Sequence, residues 1–361
     1  MKKKRILMLF GIGCLALMVI ALPYAKTALA QPLPKRISYA THRVGTTHHG
    51  VATALSKVVS EHSKMMVVVS PGTGPSAWVP VMNMTGRPQF GSAHILDAWW
   101  AWTGKISPKP LPGNPLGTKA FYKFGNPNLR ILMAGPRMST GFMVRADSPF
   151  KTVKDLVGKR VGLGYTALPA AYACLLADVY NAGIISVDDF VEVLVSGPGA
   201  GVRALMAGRI DATNGAIGMG IGAEAHAKIG IRFLPGSMNP KDIKRAQEVF
   251  PGGTYVVRPA GPPGMDKPKP MWTYPILTVT SVHLPDEIAY EMLRVLAENY
   301  KEAQPLHPAI KEWEPKLMVM KNITVPYHDV AVKFYKEKGL WSAEMDTVQA
   351  RLLKGEYPFL D

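Results

Sequence analysis

The sequence has 361 residues, 47% of them hydrophobic, and a formal net charge of +16. Its basic residues are scattered and lack the aromatic platform of a nucleic-acid-binding surface, so we expect no nucleic-acid partner. A basic exported protein can instead attract small anions toward a cleft. No apolar run beyond the first thirty residues is long enough to span a bilayer, so the mature chain is expected to be soluble.

The first thirty residues have the pattern of a secretory signal peptide. A basic start at residues 1–5 precedes an apolar run at 6–22, and an A-x-A cleavage site ends at Ala30. We predict export and cleavage after Ala30. The segment carries five positive charges, so the mature chain from Gln31 keeps a net charge of +11 (16 − 5). Cys174 is then the one remaining cysteine, which excludes an intrachain disulfide.

The first predicted elements are a strand at residues 36–40 and a helix that carries Val51 on its inner face. A loop of small and hydroxyl-bearing residues at 41–50 joins them. Thr46 and Thr47 are suitable N-caps for the helix. The unpaired N–H groups at a helix start favour an anion or a carboxylate. For this stretch taken alone, an ordinary capped loop without a ligand is the alternative.

A second strand, loop and helix follow with the same layout. The strand covers residues 65–69 and the loop residues 70–76. Ser76 is the predicted N-cap of the next helix, which ends at Gly86. A short strand then leads into a loop around His94.

The region after this strand contains tryptophans, a long loop and two further strands. The three tryptophans between residues 97 and 102 either pack in the core or face a ligand. Residues 107–128 are rich in Pro, Gly and Lys, which indicates a long surface loop. Residues 129–134 and 141–145 are predicted as two successive strands, a plausible first crossing between lobes.

The second half of the chain repeats the plan of the first. Strands at 159–163 and 190–195 are each followed by a small-residue loop, at 164–169 and 196–201, and then by a helix. A Gly-Arg turn closes this series in both halves. Alternating strands and helices predict a parallel sheet whose ligand site lies at the carboxyl ends of the strands.

We therefore predict an α/β fold of two lobes, each with a central, mostly parallel sheet flanked by helices, and a ligand cleft between them. Residues 250–270 are predicted to be irregular, 274–280 to form a returning strand, and Pro285 to start a long helix. The predicted divisions are a signal peptide at 1–30, a discontinuous lobe I at 31–141 and 275–361, and lobe II at 142–274.

Five short motifs, in their order and spacing, resemble the TAXI family, the exported solute receptors of tripartite ATP-independent periplasmic (TRAP) transporters. The resemblance covers nearly the whole mature chain. The motifs are Thr41–His49, Thr73–Ser76 followed by Gly86, Asp155–Gly164, Gly252–Tyr255, and Pro326–His328 followed by Tyr335 and Gly339. Each motif is weak alone, but their order is specific.

The resemblance implies a type II periplasmic binding-protein fold, a periplasmic location and no catalysis. Because family ligands are mostly small carboxylates, the expected ligand is a small organic anion, delivered to TRAP membrane subunits. We expect a monomer without a cofactor. The expected ligand-binding residues are Thr46, Thr47, His48, Thr73, Gly74, Ser76, Trp78, His94, Tyr165, Thr166, Ala167, Asn214, Gly215 and Ala216.

Several side chains depart from the family pattern, in which paired tyrosines stand where this chain has His48-His49. Trp78 and His94 also replace the usual polar residues of their loops. Imidazoles can donate to a carboxylate, more strongly when protonated, and tryptophan offers a flat apolar wall. We therefore expect an acid with an apolar or aromatic body. Alternatively, His48 and Trp78 merely pack beneath their loops.

Two other classes of function compete with this one. In a metal-binding receptor, His42, His48, His49 and His94 would converge on one zinc or copper ion. Against this, adjacent histidines at a helix start point in different directions, and the loop contains no carboxylate or cysteine. An exported enzyme is the other class, but there is no G-x-S-x-G elbow and Cys174 lies on an apolar helix face. Zinc titration tests the first, and turnover of small esters, amides or phosphates tests the second.

Overall fold

The computed structural model describes residues 33–104, 124–165, 168–320 and 322–356. The predicted signal peptide and most of the predicted loop at 107–128 lie outside the described residues. Within them, no helix is long and apolar enough to cross a membrane.

Strands and helices alternate along the first part of the chain, as predicted. They are β1 (Arg36–Thr41), α1 (Thr47–His62), β2 (Met66–Pro71), α2 (Pro75–Thr85), β3 (Phe90–His94), α3 (Ile95–Thr103) and the long strand β4 (Leu129–Arg145).

The second part alternates in the same way before three closing helices. It contains β5 (Arg160–Gly164), α4 (Pro169–Asn181), β6 (Val191–Val195), α5 (Pro198–Met206), β7 (Ala212–Ala216), α6 (Gly220–Ile229), β8 (Ile231–Phe233), α7 (Pro240–Val249), β9 (Thr254–Arg258) and β10 (Lys269–Ser281). The closing helices are α8 (Asp286–Ala303), α9 (Asp329–Glu337) and α10 (Ala343–Leu353).

The ten strands of the described residues belong to one sheet with the order β2-β1-β3-β10-β4-β7-β5-β6, to which β8 adds at β4 and β9 at β10. Strands β2, β1 and β3 are mutually parallel and form the first strand set. Strands β7, β5 and β6 form an equivalent parallel second strand set. The antiparallel strands β10 and β4 join the two sets. The predicted α/β architecture with flanking helices is confirmed.

Strand β4 corrects the prediction of two separate strands at 129–134 and 141–145. It runs without a break because Gly135 and Pro136 form a β-bulge within β4, opposite Ile276 of β10, where the register shifts between Pro275 and Leu277. A Cβ on Gly135 would lie 2.5 Å from the carbonyl oxygen of Ile276, so only glycine permits this approach of the two backbones. A bulge also tolerates proline, which cannot donate to the ladder.

The predicted lobe boundaries fall inside the two joining strands. The division at 141/142 lies within β4, and the division at 274/275 lies within β10. Both strands therefore contribute to each half of the sheet, and the lobe boundaries themselves stay a prediction.

Two helix starts test the capping predictions. Thr46 is the N-cap of α1, and its hydroxyl accepts a hydrogen bond from the backbone N–H of His49, as predicted. Ser76 is not the N-cap of α2, because the helix begins one residue earlier, at Pro75, after Gly74. Proline is favoured at the first helical position, since its fixed φ suits the helix and its missing N–H would be unpaired there. Gly86 ends α2 in the left-handed conformation, with φ of 70°, as predicted.

Strand β9 corrects the prediction that residues 250–270 are irregular. Residues 254–258 pair antiparallel with β10, from Thr254 opposite Thr273 to Arg258 opposite Lys269. The strand is only five residues long and lies between glycine- and proline-rich stretches, which hide a short strand in the sequence.

Candidate functional site

A cavity of about 410 Å³ lies where the parallel strands of both sets end. On one side, the segments that follow β1 and β2 line it, together with His94 at the end of β3. On the other side, the segments that follow β6 and β7 line it, and Thr140 of β4 and Tyr274 of β10 lie between the two sides. The carboxyl ends of parallel strands are where ligands bind in α/β proteins, so this cavity is the candidate site.

Three helices begin at the cavity. Helix α1 starts there at Thr46 and Thr47, helix α5 at Gly197 and Pro198, and helix α6 at Gly220. The first N–H groups of a helix have no partner within the helix, and its dipole places partial positive charge at this end. The cavity wall therefore offers backbone donors to an anion from both strand sets.

Two arginines, Arg43 and Arg203, add full positive charges at the exposed edge of the cavity. Among the described residues that line it, none is acidic. Positive charge without a neutralising carboxylate raises the local concentration of small anions and favours their binding.

Three buried histidines, His42, His48 and His94, line the inner wall, and we call them the three-histidine cluster. They are between 3% and 6% exposed. The ring of His48 lies between the other two, with centroids 4.2 Å from His42 and 4.4 Å from His94. One nitrogen from each ring lies within 4.8 Å of the other two. Strand ends distant in the sequence thus bring three imidazoles together.

Burial determines the charge of this cluster. Loss of solvation lowers the pKa of His42 to about 4. It lowers the pKa values of His48 and His94 well below their usual range, and repulsion from neighbouring histidines adds to the effect. At neutral pH the three rings are uncharged and offer lone pairs. The expectation that a protonated imidazole donates to a carboxylate therefore does not fit these histidines.

His49 does not join the cluster. Its Nδ1 lies 3.2 Å from the hydroxyl of Thr41, whereas Nδ1 of His48 lies 2.8 Å from the hydroxyl of Ser92. The two side chains leave the start of α1 in different directions, so three of the four histidines considered in the sequence converge.

Of the other predicted site residues, several line the cavity and several do not. Those at the cavity are Thr46, Thr47, Thr73, Asn214, Gly215 and Ala216, together with His48 and His94. Thr166 and Ala167 lie outside the described residues.

Gly74, Ser76, Trp78 and Tyr165 are not in the cavity lining. Ser76 is exposed on the first turn of α2, and Gly74 lies behind His42. Trp78 is buried against Gly91 of β3, as in the alternative in which it packs beneath its loop. It cannot provide a wall for the ligand in this arrangement.

Tyr165 supports the cavity from behind. Its hydroxyl donates to the backbone carbonyl of Asn214 at 2.9 Å and accepts from the backbone N–H of Asn214 at 3.0 Å. The side-chain amide of Asn214 donates to Asp178 Oδ2 at 2.7 Å, and the Tyr255 hydroxyl donates to Oδ1 at 2.6 Å. Burial raises the pKa of Asp178 to about 7, against the effect of these two donors. This network fixes Asn214 in the middle of β7.

Sequence reasoning missed Arg43, Arg203 and the loop at 196–200, all of which line the cavity. The loop had been recognised as the counterpart of the one after β2, and that symmetry was the available signal. Arg203 lies five residues after the start of α5, and its position at the cavity depends on how α5 packs against the sheet, which the sequence does not show.

Cys174 also lines the cavity, although it was expected to be inert. Its thiol contacts the carbonyl oxygen of Ala170 and the hydroxyl of Tyr274, each at 3.3 Å. Burial raises the pKa of this thiol, so it is not the thiolate that a nucleophile requires.

Solved structures similar to this chain include proteins described as periplasmic. No curated protein sequence matches it significantly. A solved structure described as a periplasmic transporter matches with a TM-score of 0.51 and 12% identity, over 91% of this chain and 100% of that one. The periplasmic aliphatic sulphonate binding protein SsuA from Escherichia coli matches with a TM-score of 0.46 and 12% identity, over 91% of this chain and 96% of that one. A TctC solute binding protein from Polaromonas matches with a TM-score of 0.45 and 14% identity, over 91% of this chain and 98% of that one.

At such identities the first of these matches shows the fold alone, an α/β fold that this chain shares with a structure described as a periplasmic transporter. A family match carries the assignment further, because it extends over residues 39–339, well over half of the sequence. The chain belongs to the NMT1-like family.

Proposed function

We propose that this protein is the solute-binding receptor of an import system and captures one small organic anion in the cavity between the strand sets. The observation that carries the proposal is the charge of the cavity. Three helix starts and two arginines face it, and none of its described lining residues is acidic.

The size and the lining agree with a small-molecule site. Pockets for small ligands commonly measure about 300–1,000 Å³ and combine apolar walls with a few polar groups. Here Met138, Leu168, Ile221 and Tyr274 supply apolar surface, and the helix starts supply donors. We propose an acid with an apolar body, held by its carboxylate at the helix starts.

The proposed cellular context follows from the signal peptide at 1–30 and from the TAXI-type motifs. The exported chain would act in the periplasm as a monomer and deliver its ligand to TRAP membrane subunits. The binding-protein fold and the unreactive Cys174 support binding rather than catalysis.

A thermal-shift screen of carboxylates, neutral sugars and cations on the exported protein tests the proposal. A ligand that binds only the folded state stabilises it by about 2.7 kcal/mol at a hundredfold excess over its Kd. At least one carboxylate should do so. If neutral sugars alone stabilise the protein, the anion proposal is wrong.

A matched pair of variants then tests the role of the cavity. Arg203→Gln should weaken the best carboxylate about fivefold, since an exposed ion pair contributes up to about 1 kcal/mol. Arg209→Gln removes the same charge from an exposed position outside the cavity lining and should leave the affinity unchanged. Equal effects of the two variants would contradict binding in this cavity.

A further inference from the structure

The three-histidine cluster contains ring nitrogens that are buried and have no hydrogen-bond partner. They are Nε2 of His42, Nε2 of His48 and Nδ1 of His94. Leaving a buried polar atom unpaired is unfavourable, because it loses its hydrogen bond to water and gains none in the protein. Three such atoms at one cavity wall, each able to offer a lone pair, are the arrangement expected of ligands that lack their metal ion.

We propose that this cluster binds one divalent transition-metal ion, and that the anionic solute completes its coordination. The proposal rests on the proposed function for the identity of that last ligand. Imidazole nitrogen suits zinc, copper and nickel among the common metals. Three protein ligands with one position left open is a frequent zinc arrangement.

The distances are close to those of a metal site. In a tetrahedral zinc site with Zn–N bonds of about 2.0–2.1 Å, the nitrogens lie roughly 3.3 Å apart. One ring nitrogen from each of His42, His48 and His94 lies within 4.8 Å of the other two. Small rotations of the rings, each moving a nitrogen by about 1 Å, would close the site.

A hydrogen bond outside the cluster already orients its central ring. Nδ1 of His48 is paired with the hydroxyl of Ser92 at 2.8 Å, which leaves Nε2 as the nitrogen available to a metal. Metal-binding histidines commonly use their other ring nitrogen in this way, and the partner fixes the ring and its tautomer. The ring of His94 stacks on Tyr274, with centroids 5.2 Å apart.

Charge explains why the solute would belong to the site. A divalent ion held by three neutral rings keeps its full charge in a buried place, which is unfavourable without a counter-ion. Arg43, Arg203 and the helix starts make the cavity still less favourable for a bare cation. A carboxylate in the open position neutralises the ion and also contacts the helix starts. Metal and anion should therefore increase each other's affinity by the same factor.

Metal binding is tested on exported protein purified without refolding and then freed of metal with a chelator. We expect one equivalent of Zn²⁺ by calorimetry, and a four-coordinate visible spectrum with Co²⁺. His48→Ala should weaken zinc about a hundredfold or more, since even the loss of an outer partner costs about 10–100-fold. His49→Ala, which alters the adjacent residue outside the cluster, should bind zinc as the wild type does.

His94→Phe guards against a variant that simply unfolds. Phenylalanine keeps a ring of similar shape and removes the unpaired nitrogen, so the metal-free variant should unfold at or above the wild-type temperature. The rise in unfolding temperature that zinc gives the wild type should be absent from it. Absence of stoichiometric zinc binding by the wild type, or an equal loss in His48→Ala and His49→Ala, would overturn the metal site.

The role of the anion is tested with benzoate and succinate, which bind metal ions only weakly in water. Zinc affinity should rise with at least one of them, and its affinity should rise by the same factor with zinc. Unchanged zinc affinity with both would overturn the shared site. Carboxylate binding that depends on Arg203 but proceeds without any zinc binding would leave the proposed function standing and refute the metal inference alone.

Discussion

The buried carboxyl group of Asp178 should make the stability of the protein depend on pH. Asp178 lies on α4 and is held between the side-chain amide of Asn214 and the hydroxyl of Tyr255. Its pKa is raised by burial from 3.8 to about 7. A raised pKa means that the folded state binds the proton more tightly than the unfolded state. Between about pH 4 and pH 7 the free energy of unfolding should therefore fall as the pH rises.

The size of this effect follows from the shift. The folded and unfolded pKa values differ by about three units, and each unit corresponds to about 1.4 kcal/mol. Asp178 should thus remove about 4 kcal/mol of stability across this range. In Asp178→Asn, the new side-chain carbonyl accepts the hydrogen bond from the Tyr255 hydroxyl. The new side-chain NH2 group can donate to the side-chain oxygen of Asn214 once the Asn214 amide has flipped. The variant keeps the contacts and loses the titration.

Urea unfolding of the wild type and Asp178→Asn at several pH values from about 4 to 8 measures this contribution. The variant should gain about 4 kcal/mol relative to the wild type over the series, because all other titrating groups cancel in the difference. Asp189→Asn, at an exposed position nearby in the sequence, controls for the change in net charge. A difference between the wild type and Asp178→Asn that stays constant with pH would refute the reasoning.

Two further changes test the packing and the capping of the first strand set by urea unfolding. Gly91→Ala should destabilise the protein by about 1–3 kcal/mol, because the new Cβ would lie 2.2 Å from the ring of Trp78. Gly220→Ala is the control and should not destabilise it, since no atom lies within 4 Å of the Cβ position there. Equal losses of stability in the two variants would contradict the packing of Trp78 on Gly91. Thr46→Ala should lower the free energy of unfolding by about 1 kcal/mol, because it removes the N-cap of α1, and Thr47→Ala should lower it less. A larger loss in Thr47→Ala than in Thr46→Ala would show that Thr46 is not the cap.

The order of the elements was predictable because hydrophobic runs, glycine ends and threonine caps are local signals. Thr46 and Gly86 are examples, since each acts within its own helix end. Local signals failed where a distant contact decides. The sequence around Gly135 predicts the end of a strand, but the role of this glycine depends on the approach of Ile276, 141 positions later in the chain (276 − 135).

The candidate site shows the same limit. The loops after the strands were identified from the repeated plan, and most of their residues line the cavity. Which histidines meet was not visible, because it depends on β1 and β3 lying side by side with Tyr39 opposite Phe90. That register brings the ends of both strands together, with His42 after one and His94 at the other. His48 and His49 then leave α1 in different directions, which places His48 in the cluster and the half-buried His49 outside it.

Strand β10 has a consequence for how the chain folds. Its Leu277 pairs with Ala93 of β3, 184 positions earlier (277 − 93), and with Ala134 of β4, 143 positions earlier (277 − 134). Pairing over such separations is slow, because the entropy of closing a long loop is lost before the stabilising contacts between the strands can form. Until residues 269–281 arrive, β3 and β4 both present open edges, which invite pairing with other chains. A chain that stops before Lys269 should therefore aggregate, and the first strand set should not fold on its own.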